Sequence, residues 1–245
     1  MTQLKPEDGI SIIIPTYQEA GNITALAERI ADAKLNHYPF EVLLIDDNSE
    51  DGTLEIVERL RVKYPWLKLI VRRENRSWDK SILHGIKIAK FPMLVFMDAD
   101  LSHPPEVIPQ MISLLQQTTT GMVIGSRYTS GGSIDKSWPF YRKIVSRLAT
   151  LIIQPLLPAK IKDPLSGFIA IRKEIYFLNG NLWSPIGTKL ALEIMVKSRV
   201  ENVVEIPICF DQRKHGESKL LTMKMALGYA KQIQQLWSYK LLGQK

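Results

Sequence analysis

One cysteine, Cys209, stands in a chain of 245 residues. That excludes an intramolecular disulfide and a cysteine-rich zinc site, and it fits a reducing compartment. Long apolar runs are missing as well. A bilayer-spanning helix needs roughly 20 consecutive apolar residues. The longest uncharged stretch, Val107 to Ser126, is broken by Gln110, Gln116, Gln117 and Thr118 to Thr120, and Leu148 to Leu157 is too short and holds Pro155. Met1 to Gly9 is polar, so no signal segment is expected there. No G-x-G-x-x-G or G-x-x-x-x-G-K-[ST] occurs, which argues against a dinucleotide oxidoreductase and a P-loop nucleotidase. The nucleophile elbow G-x-S-x-G is absent too. Acidic residues are in deficit: 25 Asp and Glu against 32 Lys and Arg leave a net charge of +7. Such a balance favours anionic partners: phosphates, nucleic acid or an acidic membrane face.

What is present is ordinary globular composition, 45% hydrophobic and 23% charged, enough for a sizeable core. Short apolar runs alternate with amphipathic ones. Ile10 to Ile14, Val42 to Ile45, Leu67 to Val71, Met93 to Met97 and Met122 to Ile124 read as strands, the first stopping at Pro15. Between them fall helical stripes: Ile23, Leu26, Ala27 and Ile30 behind an N-cap at Asn22; Leu54, Val57 and Leu60; Ile82, Ile86 and Ala89; Val107, Ile108, Met111, Leu114 and Leu115. The alternation predicts an α/β fold, a mostly parallel sheet with helices on both faces. Beyond residue 128 the rhythm changes. Phe168 to Ile171 and Val203 to Phe210 read as strands around a helix at Lys189 to Ser198. Met223, Leu227, Ala230, Ile233, Trp237 and Leu241 form the apolar stripe of a C-terminal amphipathic helix, packed on the body or lying on a membrane.

Ligands of such sheets sit outside the carboxyl ends of the strands, so the residues that follow each strand matter most. After strand one, Tyr17 offers a flat face for a base and Glu19 an acceptor. After strand two come Asp46 and Asp47, which alternation turns to opposite faces; one accepts from a ligand while the other caps backbone. A turn with a helix N-cap accounts for the same stretch without a ligand. After strand four comes Asp98-Ala99-Asp100. Residues i and i+2 of a strand point the same way, so both carboxylates converge, and a divalent cation removes their repulsion. Hard oxygen ligands point to Mg2+ or Mn2+, with Asp98 and Asp100 as the metal ligands. Two solvated carboxylates capping the next helix are the plainer reading. His103, before two prolines, reads as a loop residue. Arg127 to Arg147 holds five cations against Asp135, followed by the apolar run to Leu157; that order suits a phosphate headgroup with a hydrocarbon tail, or a membrane surface.

Together the motifs resemble the family-2 glycosyltransferases of the GT-A fold, and within them the polyprenol (dolichol)-phosphate mannose synthases. They are Ile14-Pro15-Thr16-Tyr17-Gln18-Glu19, Ile45-Asp46-Asp47, Met97-Asp98-Ala99-Asp100-Leu101-Ser102-His103-Pro104, Gly125-Ser126-Arg127-Tyr128, Arg142 to Arg147, Asp163-Pro164-Leu165-Ser166-Gly167-Phe168 and His215-Gly216-Glu217-Ser218-Lys219. The resemblance implies a catalytic domain over 1–220 and the amphipathic helix over 221–245. It implies that Pro15, Tyr17, Glu19, Ile45 and Asp47 hold the donor nucleoside, and that Asp98, Ala99 and Asp100 sit at the diphosphate and metal. It assigns phosphate binding to Arg127, Arg213 and Lys219, and the lipid phosphate to Arg127, Arg142 and Ser146. Asp100, Arg127 and Arg142 are then the catalytic residues.

The implied reaction moves mannose from GDP-mannose to a polyprenyl phosphate with inversion, at the cytoplasmic face of a membrane and with no nucleic acid involved. A separate membrane-anchoring subunit is a further partner that the resemblance allows. One stretch departs from the family pattern. Where a glycine-led segment is usual before the third helix, this chain has Ser77-Trp78-Asp79-Lys80-Ser81. Two alternatives stand beside this reading: a UDP-sugar donor, glucose or GlcNAc, and a non-catalytic protein that binds nucleotide-sugar or lipid phosphate.

Overall fold

The fold is described from a computed structural model, which covers residues 9–74, 76–117, 119–135, 140–179, 190–198, 200–211 and 223–242. Strands β1 (Ile10–Thr16), β2 (Phe40–Asp46), β3 (Leu67–Val71), β4 (Met93–Phe96), β5 (Met122–Ser126), β7 (Ile169–Arg172) and β8 (Val203–Pro207) form a seven-stranded sheet in the order β3-β2-β1-β4-β7-β5-β8. Six run parallel in direction. β7 alone runs backwards, antiparallel to both β4 and β5. A small second sheet pairs β6 (Ser133–Ile134) with β9 (Cys209–Phe210), so the run expected over Val203 to Phe210 is two strands.

β1 also extends beyond the expected stop and carries Pro15 inside it, opposite Ile45. Strand register with β4 ends at Ile13–Phe96, so a residue without an N–H is tolerated on that side. Alternation along β1 sends side chains to two cores. Ile10, Ile12 and Ile14 pack with α1 (Ala20–Asp32), α2 (Thr53–Lys63) and α4 (Ile108–Leu115). Ile13 packs on the other face with α3 (Trp78–Ile88), α7 (Leu190–Lys197) and Leu236. Each such side chain contributes about 1.5–3 kcal/mol when fully buried, which is why the sheet centre fixes the edges so firmly. α3 lies close enough that a Cβ on Gly85 would sit 2.4 Å from Ile13 Cγ2.

Two helix details differ from the sequence reading. Asn22 lies inside α1, buried, and its side chain donates to Glu19 Oε2 at 2.6 Å; Glu19 itself holds the N-cap position. The remaining helices are α5 (Phe140–Ile153), α6 (Lys173–Asn179) and α8 (Met223–Leu242). α8 packs on the body through Gln232 and Leu236, flanked by Tyr229, Ile233, Trp237 and Tyr239. The expected stripe is therefore rotated: Ile233 and Trp237 belong to the seam, Ala230 and Leu241 face solvent, and the side chains of Met223 and Leu227 lie outside the described residues. No helix among the described residues is long and apolar enough to cross a membrane.

Candidate active site at the carboxyl edge of the sheet

β1 has β2 on one side and β4 on the other, so the chain order reverses about it. Loops diverge at such a switch point and leave a crevice at the carboxyl edge. The carboxyl ends of β1, β2, β4 and β5 share that edge, and the reversed β7 brings its amino end there too. Three non-glycine residues in these loops adopt left-handed backbone: Gln18 (φ +56°), Asn48 (φ +62°) and Leu101 (φ +67°). Such conformations cost about 1–3 kcal/mol and persist only where surrounding bonds dictate them. Here they do. The Gln18 N–H donates to Ser49 Oγ at 2.8 Å, the Glu19 N–H to Thr53 Oγ1 at 3.1 Å, and Leu101 O accepts from Arg29 Nη1 at 3.2 Å.

The two carboxylates ending β2 and opening its loop divide their work. Asp46 is buried and caps the turn, accepting from the Ser49 N–H (2.8 Å) and Ser49 Oγ (2.6 Å). Burial pushes its carboxyl up against those bonds. Asp47 instead gathers donors from β3 and α3: Arg72 Nη1 at 2.8 Å, the Ser77 N–H at 3.0 Å and Ser81 Oγ at 3.1 Å. Arg72 Nη1 also donates to Ser81 Oγ. Tyr17 is half-buried, and the Arg76 guanidinium lies over its ring, 4.1 Å from the centroid. Ile45 is fully buried in the second core, so its side chain presents no surface to a ligand.

β4 ends at Phe96, so Asp98-Ala99-Asp100 is loop and strand alternation does not align its carboxylates. The loop is held by its own bonds instead. Asp100 is 3% exposed, and its Oδ1 accepts from the Ser102 N–H (3.1 Å) and Ser102 Oγ (2.5 Å). The Asp98 side chain is 31% exposed, and its Oδ1 accepts from Trp78 Nε1 at 2.9 Å. His103 is buried, stacked on Phe168 at 5.2 Å, and its Nδ1 accepts the Asp98 N–H at 3.0 Å. That nitrogen therefore carries no proton, and its 3.9 Å approach to Asp98 Oδ2 is not an ion pair.

β5 delivers Arg127, which is 10% exposed and clasped fork-to-fork by buried Asp163: Nε to Oδ2 at 2.8 Å and Nη2 to Oδ1 at 2.7 Å. Its N–H also donates to Asp163 Oδ2, at 2.9 Å. Burial lowers the guanidinium's proton affinity, but Asp163 outweighs it, and Tyr128 and Asp98 add to the net rise. Tyr128 OH reaches Ser146 Oγ at 3.0 Å, tying the end of β5 to α5. The Arg142 backbone lies one turn earlier on α5; the Arg142 side chain, Arg213 and Lys219 lie outside the described residues. Ser166 Oγ donates to Gly125 O at 2.7 Å and fixes Gly167 in the crevice, where a Cβ would lie 3.5 Å from His103, 3.8 Å from Asp98 Oδ2 and 3.9 Å from Trp78.

Sequence reasoning left four of these partners without a role: Arg72, Trp78, His103 and Asp163. Only Asp163 carried a usable signal, because a buried arginine after a strand requires a carboxylate. The donor set suits a hard divalent cation. Two carboxylates, one of them half-buried beside Gly167, would supply part of an oxygen shell, with phosphate oxygens and water completing it. No group of three or more His, Cys, Asp or Glu able to hold a metal occurs among the described residues.

Residues 11–177 match the domain described as glycosyl transferase family 2. A dolichol-phosphate mannosyltransferase of Pyrococcus furiosus is 43% identical over 213 residues, 86% of this chain. The match spans 59% of that relative's own length. A dolichol-phosphate mannosyltransferase of Saccharomyces cerevisiae is 36% identical over 94% of this chain and 87% of its own. Among solved structures, a mannosyltransferase of Pyrobaculum calidifontis in complex with GDP-Man and Mn2+ superposes with a TM-score of 0.65 at 18% identity, covering 99% of this chain and 68% of the other. At that identity the likeness establishes the fold, the GT-A type expected from the motifs.

Proposed function

The chain belongs to glycosyl transferase family 2, and on that premise we propose that it transfers mannose from GDP-mannose to a polyprenyl (dolichyl-type) phosphate, with inversion at the sugar carbon. The observation that carries this reading is half-buried Asp98 beside Gly167, in the loop whose Asp163 clasps Arg127, at the switch-point edge. Its support from relatives is their shared name across most of the chain.

The acceptor is a phosphate monoester, largely dianionic at neutral pH because its second pKa is about 6. It needs no general base. The difficulty is bringing two anions together. Asp98 and Asp100 would hold a divalent cation, Mg2+ or Mn2+, which when bound stabilises charge on the departing nucleoside diphosphate. Arg127, locked by Asp163, presents a fixed positive field to the same phosphates, and Arg142 and Ser146 orient the acceptor for in-line attack. An acceptor oxygen forms the new bond to the sugar carbon as the bond to the diphosphate oxygen breaks, and the electron pair leaves with the diphosphate. Tyr17, Glu19, Asp47 and Pro15 near the end of β1 bound the nucleoside side; Ile45 contributes backbone there. Ala99 spaces the two carboxylates, and Arg213 and Lys219 complete the phosphate site.

The acceptor's tail implies a membrane surface. Exposed Leu148, Leu151 and Ile152 on α5 support this, with Arg147 beside them and exposed Leu241 at the end of α8. Lys240 Nζ joins that end to Pro155 O at 2.7 Å. Binding to an anionic membrane surface, at the cytoplasmic face that the family resemblance implies, is part of this reading, and flotation with anionic vesicles tests the binding. The deciding experiment is incubation with radiolabelled GDP-mannose or UDP-glucose, Mn2+ and a short polyprenyl phosphate, then organic extraction. Lipid-soluble label from GDP-mannose is expected. Label from UDP-glucose alone overturns the donor. Nucleotide-induced thermal stabilisation without any lipid label overturns the catalytic reading.

A further inference from the structure

The start of α3, with its N-cap Ser77, touches two carboxylates of the candidate site, Asp47 and Asp98. Its Ser77 N–H and Ser81 Oγ bind Asp47, and between them Trp78 sends its indole N–H to Asp98 Oδ1 at 2.9 Å. This is the stretch whose sequence departs from the glycine-led pattern. A single N–H from a rigid planar ring does two things to a carboxylate. It occupies one oxygen, and it removes the group's freedom to rotate. With Oδ1 held by the indole, Oδ2 is left beside Gly167, 3.8 Å from where a Cβ would stand. The same point lies 3.9 Å from Trp78 Cζ2 and 3.5 Å from His103 Cε1. Indole, imidazole and bare backbone thus form three sides of the space beside Oδ2. His103 does not compete for that oxygen, because its Nδ1 lone pair is engaged by the Asp98 N–H.

We propose that Trp78 is a positioning residue, whose N–H holds Asp98 with one oxygen directed to a cation-bound diphosphate and whose ring walls the space that this ligand enters. The inference rests on the reading of Asp98 as a metal and diphosphate ligand. Its physical basis is general: a partner that fixes the orientation of a ligating carboxylate changes metal affinity without touching the metal. Trp78 is half-buried at a helix start, and its ring packs against the second core. Packing and hydrogen bonding must therefore be separated in the test.

Trp78→Phe keeps most of the ring and removes the donor. Trp78→His keeps an N–H and loses ring area. Mn2+ affinity is measured by electron paramagnetic resonance of the free ion, with GDP and separately with UDP, on protein whose cooperative unfolding has been verified. Loss of an outer partner typically weakens metal binding or activity by about 10–100-fold; W78F is expected in that range, with W78H recovering part of the loss. A merely structural role would leave Mn2+ binding by the folded variant intact. W78F within about twofold of the wild type overturns the proposal, and so does W78H binding as weakly as W78F. If W78F does not fold, benzothienylalanine at position 78, which exchanges only the N–H for sulfur, carries the same comparison. A wild-type protein that binds no Mn2+ with either nucleotide overturns the reading of Asp98 instead, and is told apart because no variant is needed to see it.

Discussion

Asp163→Asn isolates what the buried pair beneath the site contributes. Arg127 and Asp163 side chains are 10% and 1% exposed, and three bonds of 2.7–2.9 Å join the residues, one from the Arg127 backbone. Removing one partner of a buried ion pair costs about 3–5 kcal/mol, mostly because the other charge is stranded. The guanidinium cannot escape by losing its proton, because arginine is too basic to be neutralised by burial in a protein. Asparagine keeps one acceptor oxygen, so D163N belongs near the lower limit, about 3 kcal/mol. For a chain of this size each kcal/mol shifts Tm by about 2–4 °C, giving a fall of roughly 6–12 °C. Urea unfolding followed by circular dichroism, alongside calorimetry, reads both numbers. The double variant Arg127→Met with Asp163→Leu removes both charges and is expected to be more stable than D163N alone. A D163N midpoint within about 0.5 kcal/mol of the wild type refutes the reasoning, since surface-like pairs sit in that range.

Three further outcomes are expected. Asp100→Asn retains the acceptor that Ser102 uses, so its unfolding midpoint stays near the wild type while turnover in the Mn2+-supported lipid-mannose assay falls by most of its value; near-normal turnover removes Asp100 from the metal site. Burial lifts the Glu41 carboxyl, but bonds from Lys68, the Lys90 N–H and Ser11 outweigh it and hold it below the ordinary value. A carboxyl with a lowered folded pKa stabilises fully above its unfolded pKa, about 4.3, and loses that stabilisation as pH falls through the folded value; Glu41→Gln should flatten the acid side of a plot of urea midpoint against pH, and an unchanged acid slope contradicts the assignment. Gly85→Ala drives a Cβ to 2.4 Å from Ile13 Cγ2; overpacking of about 1–3 kcal/mol outweighs the gain of about 1 kcal/mol in helix propensity, so a stabilised G85A would show that α3 can move off the sheet.

The first five strands were legible because each is a short apolar run closed by polar turn residues, and the structure finds them within one or two residues. Burial on both faces is what makes such runs continuous rather than alternating. The failures have equally local causes. Asn22 is a good cap by type, but a buried site inside the first turn lets its amide serve Glu19 instead. Pro15 ends a strand by rule only where the neighbour on its N–H side needs that donor, and here β4, the strand on that side, has already diverged. The seam of α8 is centred on Gln232 and Leu236 rather than on the most apolar stripe, because the surface beneath decides which face is covered. Strand direction left no trace at all: nothing in Phe168 to Ile171 distinguishes an antiparallel strand from a parallel one.

That silence explains why the site was only half legible. The strand-end carboxylates could be found by counting from each apolar run. Their partners could not, because Trp78–Asp98, Arg72–Asp47 and Arg127–Asp163 join residues 20, 25 and 36 positions apart, and topology alone sets those meetings. β7 makes the point quantitatively. It has four residues, about 13 Å at roughly 3.3 Å per residue. Run in parallel with β4 and β5, it would leave the preceding Asp163-Pro164-Leu165-Ser166-Gly167 stretch at the far edge of the sheet, that distance from Asp98. Arg127 would then be buried with no carboxylate, an arrangement the fold could not sustain. The reversed strand and the acid six residues before it are therefore one device, and a substitution that weakens the pair should loosen β7 at the same time. Amide exchange of Ile169 and Ala170 in D163N tests this directly: protection unchanged from the wild type would mean that the strand holds its direction without the pair.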